Sequence, residues 1–107
     1  MVNISFVKVA QVTELPPGAK KVVKVRRDEV LLINVAGTIH ACDAICTHQL
    51  YPLRSGDLDG AEITCPLHEA VFNVATGAVV TDPATEPLRL FEVRIEEPFI
   101  LVGPEKN

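Results

Sequence analysis

Seven short runs of apolar or alternating apolar and polar residues organise the chain: Ile4–Val9, Lys21–Arg26, Val30–Val35, Thr38–Cys42, Val71–Val74, Leu88–Ile95 and Phe99–Val102. Alternation with a period of two marks a strand with one buried face. The 15 Val and 7 Ile favour a pleated sheet. No stretch carries apolar residues at helical spacing, and Ala10–Leu15 has room for one helical turn at most. Pro16-Pro17-Gly18 is a firm break, and Ala36-Gly37 reads as a tight hairpin turn between two runs. The pattern predicts an all-β fold, a sandwich or small barrel of antiparallel strands.

One run breaks its own phase. Phe91, Val93 and Ile95 share a face with Glu92, Arg94 and Glu96 opposite, yet Leu88 and Leu90 fall on the polar side. A β-bulge between Leu90 and Phe91 would shift the alternation, and so would burial of both faces; the bulge is the preferred reading. Phe6, Phe91 and Phe99 are the aromatic core candidates.

The segment from Ala44 to Asp82 differs from its flanks. It is richer in Cys, His, Gly and Asp and poorer in alternation. It reads as a loop-rich insert, residues 44–82, on a β base made of residues 1–43 and 83–107, within one domain. At 107 residues and 11.6 kDa the chain has enough material for one modest core.

Charge and composition narrow the classes of partner. A net charge of −4 and a pI near 5.3 argue against nucleic acid. No apolar run approaches the roughly 20 residues of a membrane helix. Met1-Val2-Asn3-Ile4-Ser5 lacks the basic and apolar regions of a secretory signal, and three cysteines make an odd, sparse set. These features predict a cytoplasmic protein with metal chemistry before disulfides. Residues 1–27 hold six basic side chains against Glu14 alone, and residues 43–86 hold seven carboxylates against Arg54 alone. That acidic stretch is either a solvated surface or a docking face for a basic partner.

Cys46-Thr47-His48 and Cys65-Pro66-Leu67-His68 concentrate the chemistry. Thiolate and imidazole are the side chains best suited to zinc and iron, and each pair supplies one of each. Three readings compete. A single zinc ion accepts Cys-x-x-His, but Cys-x-His is shorter than the usual spacer. A Cys–His nucleophile pair leaves the second pair unused. A [2Fe–2S] cluster with two cysteines on one iron and two histidines on the other uses all four ligands. The duplicated pair fits the last reading best.

With these residues in view the sequence resembles the Rieske-type ferredoxins. Cys46-Thr47-His48-Gln49, Cys65-Pro66-Leu67-His68 and Phe72-Asn73-Val74-Ala75-Thr76-Gly77 look like the family's two cluster loops, and Pro83-Ala84-Thr85-Glu86-Pro87 looks like its third, proline-bearing loop. The closest likeness is to the ferredoxin component of bacterial aromatic-ring dioxygenase systems. The resemblance implies a β-sandwich base with a small cluster-binding insert and one [2Fe–2S] cluster per chain. Cys46 and Cys65 would hold the buried iron, and His48 and His68 the outer iron. It implies a one-electron carrier, not itself an enzyme, between an NAD(P)H-dependent flavoprotein reductase and a terminal oxygenase, and a monomer is expected. Alternatives are the small subunit of an assimilatory nitrite reductase or another Rieske-dependent oxidoreductase and, from another class, a zinc-stabilised interaction module. High-potential members of the family carry an extra cysteine in each cluster loop, joined as a disulfide. They also carry Ser two residues and Tyr four residues after the second ligand histidine. Here those positions are Tyr51, Leu67, Ala70 and Phe72. A low potential is therefore expected.

The other candidates are blander. Cys42 reads as a small buried thiol and His40 as a surface or half-buried side chain. Gly56, Gly60 and Gly77 read as backbone-shaping positions. Tyr51 would either shield the cluster or simply pack.

Overall fold

The computed structural model describes residues 6–45, 52–66, 70–81 and 87–106. Among them the base strands are β1 (Val7–Gln11), β2 (Lys20–Val25), β3 (Asp28–Val35), β4 (Thr38–Asp43), β9 (Leu90–Glu96) and β10 (Phe99–Glu105). They form one antiparallel sheet in the order β1-β10-β9-β4-β3-β2. The two outer strands, β1 and β2, also approach each other, so the sheet curls around its inner face. A second antiparallel sheet joins β5 (Asp57–Asp59), β6 (Glu62–Thr64), β7 (Val71–Asn73) and β8 (Val79–Thr81) in sequence order. The fold is the all-β architecture expected, with one 3-10 turn at Val12–Glu14 where a single helical turn had room.

Strand β3 explains how the two sheets share a core. Val30 to Asn34 are all buried. Val30 and Leu32 face the inside of the curled sheet with Val25, Ala41, Phe91, Ile100 and Val102. Leu31 and Ile33 face the other way and pack with Cys42, Leu53, Ile63, Phe72 and Leu88. A continuous apolar run is what a strand covered on both sides requires. The insert is thus seated on the back of β3 and β4.

Turn chemistry sets the register. Val35 pairs with Thr38, and the two residues between, Ala36 (φ 52°) and Gly37 (φ 99°), both have positive φ. That is the requirement of the hairpin turn anticipated there. Asn34, only 6% exposed, is fully engaged. Its side-chain amide donates to Leu15 O at 2.8 Å, and its Oδ1 accepts from Gly37 N at 2.7 Å. The Asn34 backbone also bonds Gly18 and Ala19, so the Pro-Pro-Gly break is pinned to this hairpin.

Three expectations need correction. The phase change in β9 is not a bulge in that strand: Leu90 lies in the core shared with the insert, and Phe91 in the core of the curled sheet. Both faces are covered at that end. The register shift lies instead on β10, which spends three residues (Val102 to Glu105) against two on β9 (Val93 to Phe91). Phe6 and Phe99 are half-buried rather than core. Arg94 sits over the Phe6 ring at 4.1 Å and Lys8 over the Phe99 ring at 4.0 Å, favourable cation–aromatic contacts. Finally, besides β7 in the anticipated run Val71–Val74, the stretch read as loop-rich contains three more strands of three residues each, too short to show a period.

Gly56 locks the insert together. It is buried, and a Cβ there would collide with the Thr64 carbonyl oxygen, one residue before Cys65. Its own carbonyl accepts from Lys20 Nζ of the base at 2.6 Å. Substituting Gly56→Ala must push β6 away, and overpacking of this kind costs about 1–3 kcal/mol. Denaturant unfolding of the variant is expected to show that loss; a change within about 0.5 kcal/mol, the level of an ordinary surface substitution, would mean the approach relaxes freely.

Candidate metal centre

Of the four anticipated ligands, Cys65 lies within the described residues. Cys46, His48 and His68 lie outside them, as do Tyr51, Leu67 and Pro83 to Glu86. Cys65 follows β6 directly, is fully buried and is in no disulfide. Its N–H donates to Ala70 O at 2.7 Å, closing the β6–β7 hairpin across residues 66–69. Pro66 beside it is exposed, so the chain leaves the core immediately after the thiol.

The flanks of the other two segments reach the same core. Residues 46–51 are closed at their base by the Ile45–Pro52 bridge and by Leu53 N donating to Ala44 O at 2.9 Å. Residues 82–86 return through Leu88, whose N–H donates to Gly77 O at 2.9 Å. Ala44, Leu53, Cys65, Ala70 and Leu88 are all buried, and all belong to one cluster with Phe72. Described residues that flank all three stretches in the sequence therefore pack in a single core. A buried thiol there offers a soft donor in a dry setting, which suits iron or zinc held by thiolate and imidazole.

The turn after Phe72 supports this platform. Asn73 Oδ1 accepts from the N–H groups of Ala75 (2.8 Å) and Thr76 (3.1 Å). Gly77, at φ 80°, donates to Asn73 O at 2.7 Å and presents its carbonyl to Leu88. The backbone role expected of Gly77 is thus visible. Ala70 and Phe72 are wholly buried and bring no side-chain hydroxyl to the cysteine.

Sequence reasoning missed a charged group at the same end of the base. Arg89 and Asp43 face each other just beyond the last β4–β9 ladder pair, Cys42–Leu90. Arg89 N donates to Asp43 Oδ2 at 2.7 Å and Nε to Oδ1 at 2.9 Å, while Asp43 N donates to Arg89 O at 3.0 Å. The Arg89 guanidinium also reaches Asp28 Oδ1 at 3.3 Å. The hydrogen bond to Asp43 raises the Arg89 pKa above its ordinary value, against a smaller opposing effect of burial. Asp43 is therefore spoken for and does not add a free carboxylate to an acidic face. Asp57, Asp59 and Glu62 of the β5–β6 hairpin are exposed and make no ion pair among the described residues. No short-range pattern joins positions 28, 43 and 89, so no sequence signal could have found the group.

Comparison with known proteins bears on the same residues. Residues 5–92 match the Rieske [2Fe-2S] domain. The ferredoxin component of the naphthalene 1,2-dioxygenase/salicylate 5-hydroxylase systems of Ralstonia sp. is 35% identical over 101 residues, covering 94% of this chain and 97% of that one. The ferredoxin of carbazole 1,9a-dioxygenase from Nocardioides aromaticivorans IC177 superposes with a TM-score of 0.88 at 33% identity, covering 94% and 98% of the two chains. A chain from the complex of reduced oxygenase and oxidised ferredoxin in carbazole 1,9a-dioxygenase also gives a TM-score of 0.88, at 35% identity and 95% coverage of both.

Cys42 and His40 sit outside this constellation. His40 is half-buried on β4; burial first, and Lys106 second, lower its pKa, so it stays neutral near pH 7. Cys42 is fully buried in the shared core, and desolvation, helped by Asp43, pushes its thiol from 9.0 up to about 12. A raised pKa means the folded state holds the proton longer than the unfolded chain. The resulting stabilisation is complete below pH 9 and disappears as pH rises from 9 towards 12. Unfolding free energies measured from about pH 8 to pH 11 should therefore fall less steeply in Cys42→Ala than in the wild type, by up to about 1.4 kcal/mol per unit above pH 9. Equal slopes would show that the thiol ionises without cost.

Proposed function

The chain belongs to the Rieske [2Fe-2S] domain family, and on that premise we propose that it is the ferredoxin of an aromatic-ring dioxygenase system, with a Rieske-type cluster as its cofactor. The observation that carries this reading is the buried, unbridged Cys65 in the one core that also holds Ala44, Leu53 and Leu88, the described flanks of the other two motif stretches. Relatives across nearly the whole chain are ferredoxin components of oxygenase systems, electron-transfer proteins rather than the catalysts. They favour this over a nitrite reductase subunit.

The cluster would supply one-electron chemistry. Cys65 and Cys46 would hold the inner iron, and His48 and His68 the outer one. The chain's own part is to keep water from the sulfur side: Leu53, Phe72 and Leu88 pack with Cys65 and are wholly buried. By analogy with the carbazole dioxygenase complex, the acceptor is a terminal oxygenase, and the donor is an NAD(P)H-dependent flavoprotein reductase. The exposed, unpaired Asp57, Asp59 and Glu62 would draw a basic partner towards the insert. Three sparse cysteines, with Cys42 and Cys65 unbridged, suit the reducing cytoplasm. No helix among the described residues is long and apolar enough to cross a membrane.

Iron quantitation and visible absorbance test the ligand set. His48→Ala and His68→Ala are each expected to lose iron or change the spectrum, and Cys42→Ala to leave both intact. An unchanged spectrum in His48→Ala would remove that residue from the set. A colourless, zinc-containing wild type would replace the reading with the zinc module.

The potential tests the choice of partners. Rieske centres span roughly −150 to +300 mV, tuned by charge, exposure and hydrogen bonds to the sulfurs. Ala70 and Phe72 are apolar and buried where high-potential members carry hydroxyls. Each missing donor makes added negative charge harder to hold, and nearby carboxylates act in the same direction. Voltammetry is expected to place the wild type in the lower part of the range, within reach of a flavin reductase. Ala70→Ser with Phe72→Tyr should raise it. A wild-type value in the upper half of the range would overturn the argument.

A further inference from the structure

Only two residue pairs, Ala41–Phe91 and Cys42–Leu90, join β4 to β9 as a ladder. Immediately beyond, β4 runs into Ala44, which precedes residues 46–51, and β9 is entered from residues 82–86. At the next position Asp43 N still donates to Arg89 O at 3.0 Å, but the return bond goes to the Asp43 carboxylate, which takes the place of a backbone acceptor and receives Arg89 N–H at 2.7 Å. The guanidinium adds contacts to Asp43 Oδ1 at 2.8 and 2.9 Å and then crosses β4 to Asp28 at the start of β3. One side chain thus spans three strands. The Asp43 side chain is only 14% exposed, so solvent screens this pair less than an ordinary surface ion pair.

We propose that the Asp43–Arg89–Asp28 group is a positioning clamp that ties Ala44, which follows β4, to Leu88, which precedes β9. The described ends Ala44 and Leu88 are then held as one unit, and Cys65 is held independently by its bond to Ala70. A planar fork can make these contacts together; a single ammonium cannot. The clamp's use in retaining the cluster rests on the Rieske reading.

Amide hydrogen exchange and iron release to a chelator test the proposal on the full chain. Wild type, Arg89→Gln, the milder Asp43→Asn and the control Arg94→Gln, from an exposed pair with Glu96 on the same strand, are to be compared. Both clamp variants are expected to speed exchange at the Leu53 and Leu88 amides roughly tenfold or more, with the β2–β3 ladder amides unchanged, and to speed iron release in parallel. The control should change neither. Equal acceleration in the β2–β3 ladder would reduce the group to general stability, and no change at Leu53 and Leu88 would overturn the clamp. A wild type lacking iron would refute the Rieske reading alone, since the exchange experiment still decides the clamp.

Discussion

Burial of β3 on both faces is the constraint from which the rest of the structure follows. A strand with one wet face can end a fold, but Leu31 and Ile33 on the back of β3 would be exposed if the curled sheet stood alone. Burying each such side chain is worth about 1.5–3 kcal/mol. The insert supplies the cover through Leu53, Ile63, Phe72 and Leu88. The residues that stabilise the base are therefore the same ones that hold the candidate centre in place. A small chain gains from this economy, because it has little interior to divide between folding and function.

The centre is consequently framed by backbone rather than by long side chains. Cys65, Ala44 and Leu88 are each fixed by a main-chain hydrogen bond to a buried neighbour or a tight turn. Gly56 and Gly77 allow the close approaches, one because a Cβ would strike Thr64 and the other because its φ is positive. Such a frame resists displacement, which suits a protein whose task is to pass an electron with little rearrangement. Charge is then arranged around the frame. Arg89 neutralises Asp43 at the base of the insert, and the unpaired carboxylates stand outward on the β5–β6 hairpin.

Much of this was legible in the residue order, and the exceptions are instructive. The hairpin at Ala36-Gly37, the break at Pro16-Pro17-Gly18 and the apolar run of β3 follow from local sterics and residue type, which act over a few residues. The short strands β5, β6 and β8 escaped because three residues cannot display alternation. The phase change before Phe91 was visible, but its cause was not. A bulge and two-sided burial leave the same trace in one strand, and only the partner strands separate them.

The same division applies to the site. Sequence by itself supplied the proposed ligand set, because Cys46, His48, Cys65 and His68 form two closely spaced pairs whose donor types are set by covalent identity. It also determined that the two positions where high-potential members of the resembled family carry hydroxyls hold Ala70 and Phe72, which bring none. Tertiary structure alone decided that Cys65 is buried against the back of β3. It alone brought Asp28, Asp43 and Arg89, up to 61 residues apart, into one hydrogen-bonded group. The physical reason is range. Period, turn sterics and ligand spacing are properties of neighbouring residues. Burial and ion pairing depend on which distant surfaces meet, and that is settled only when the chain closes on itself.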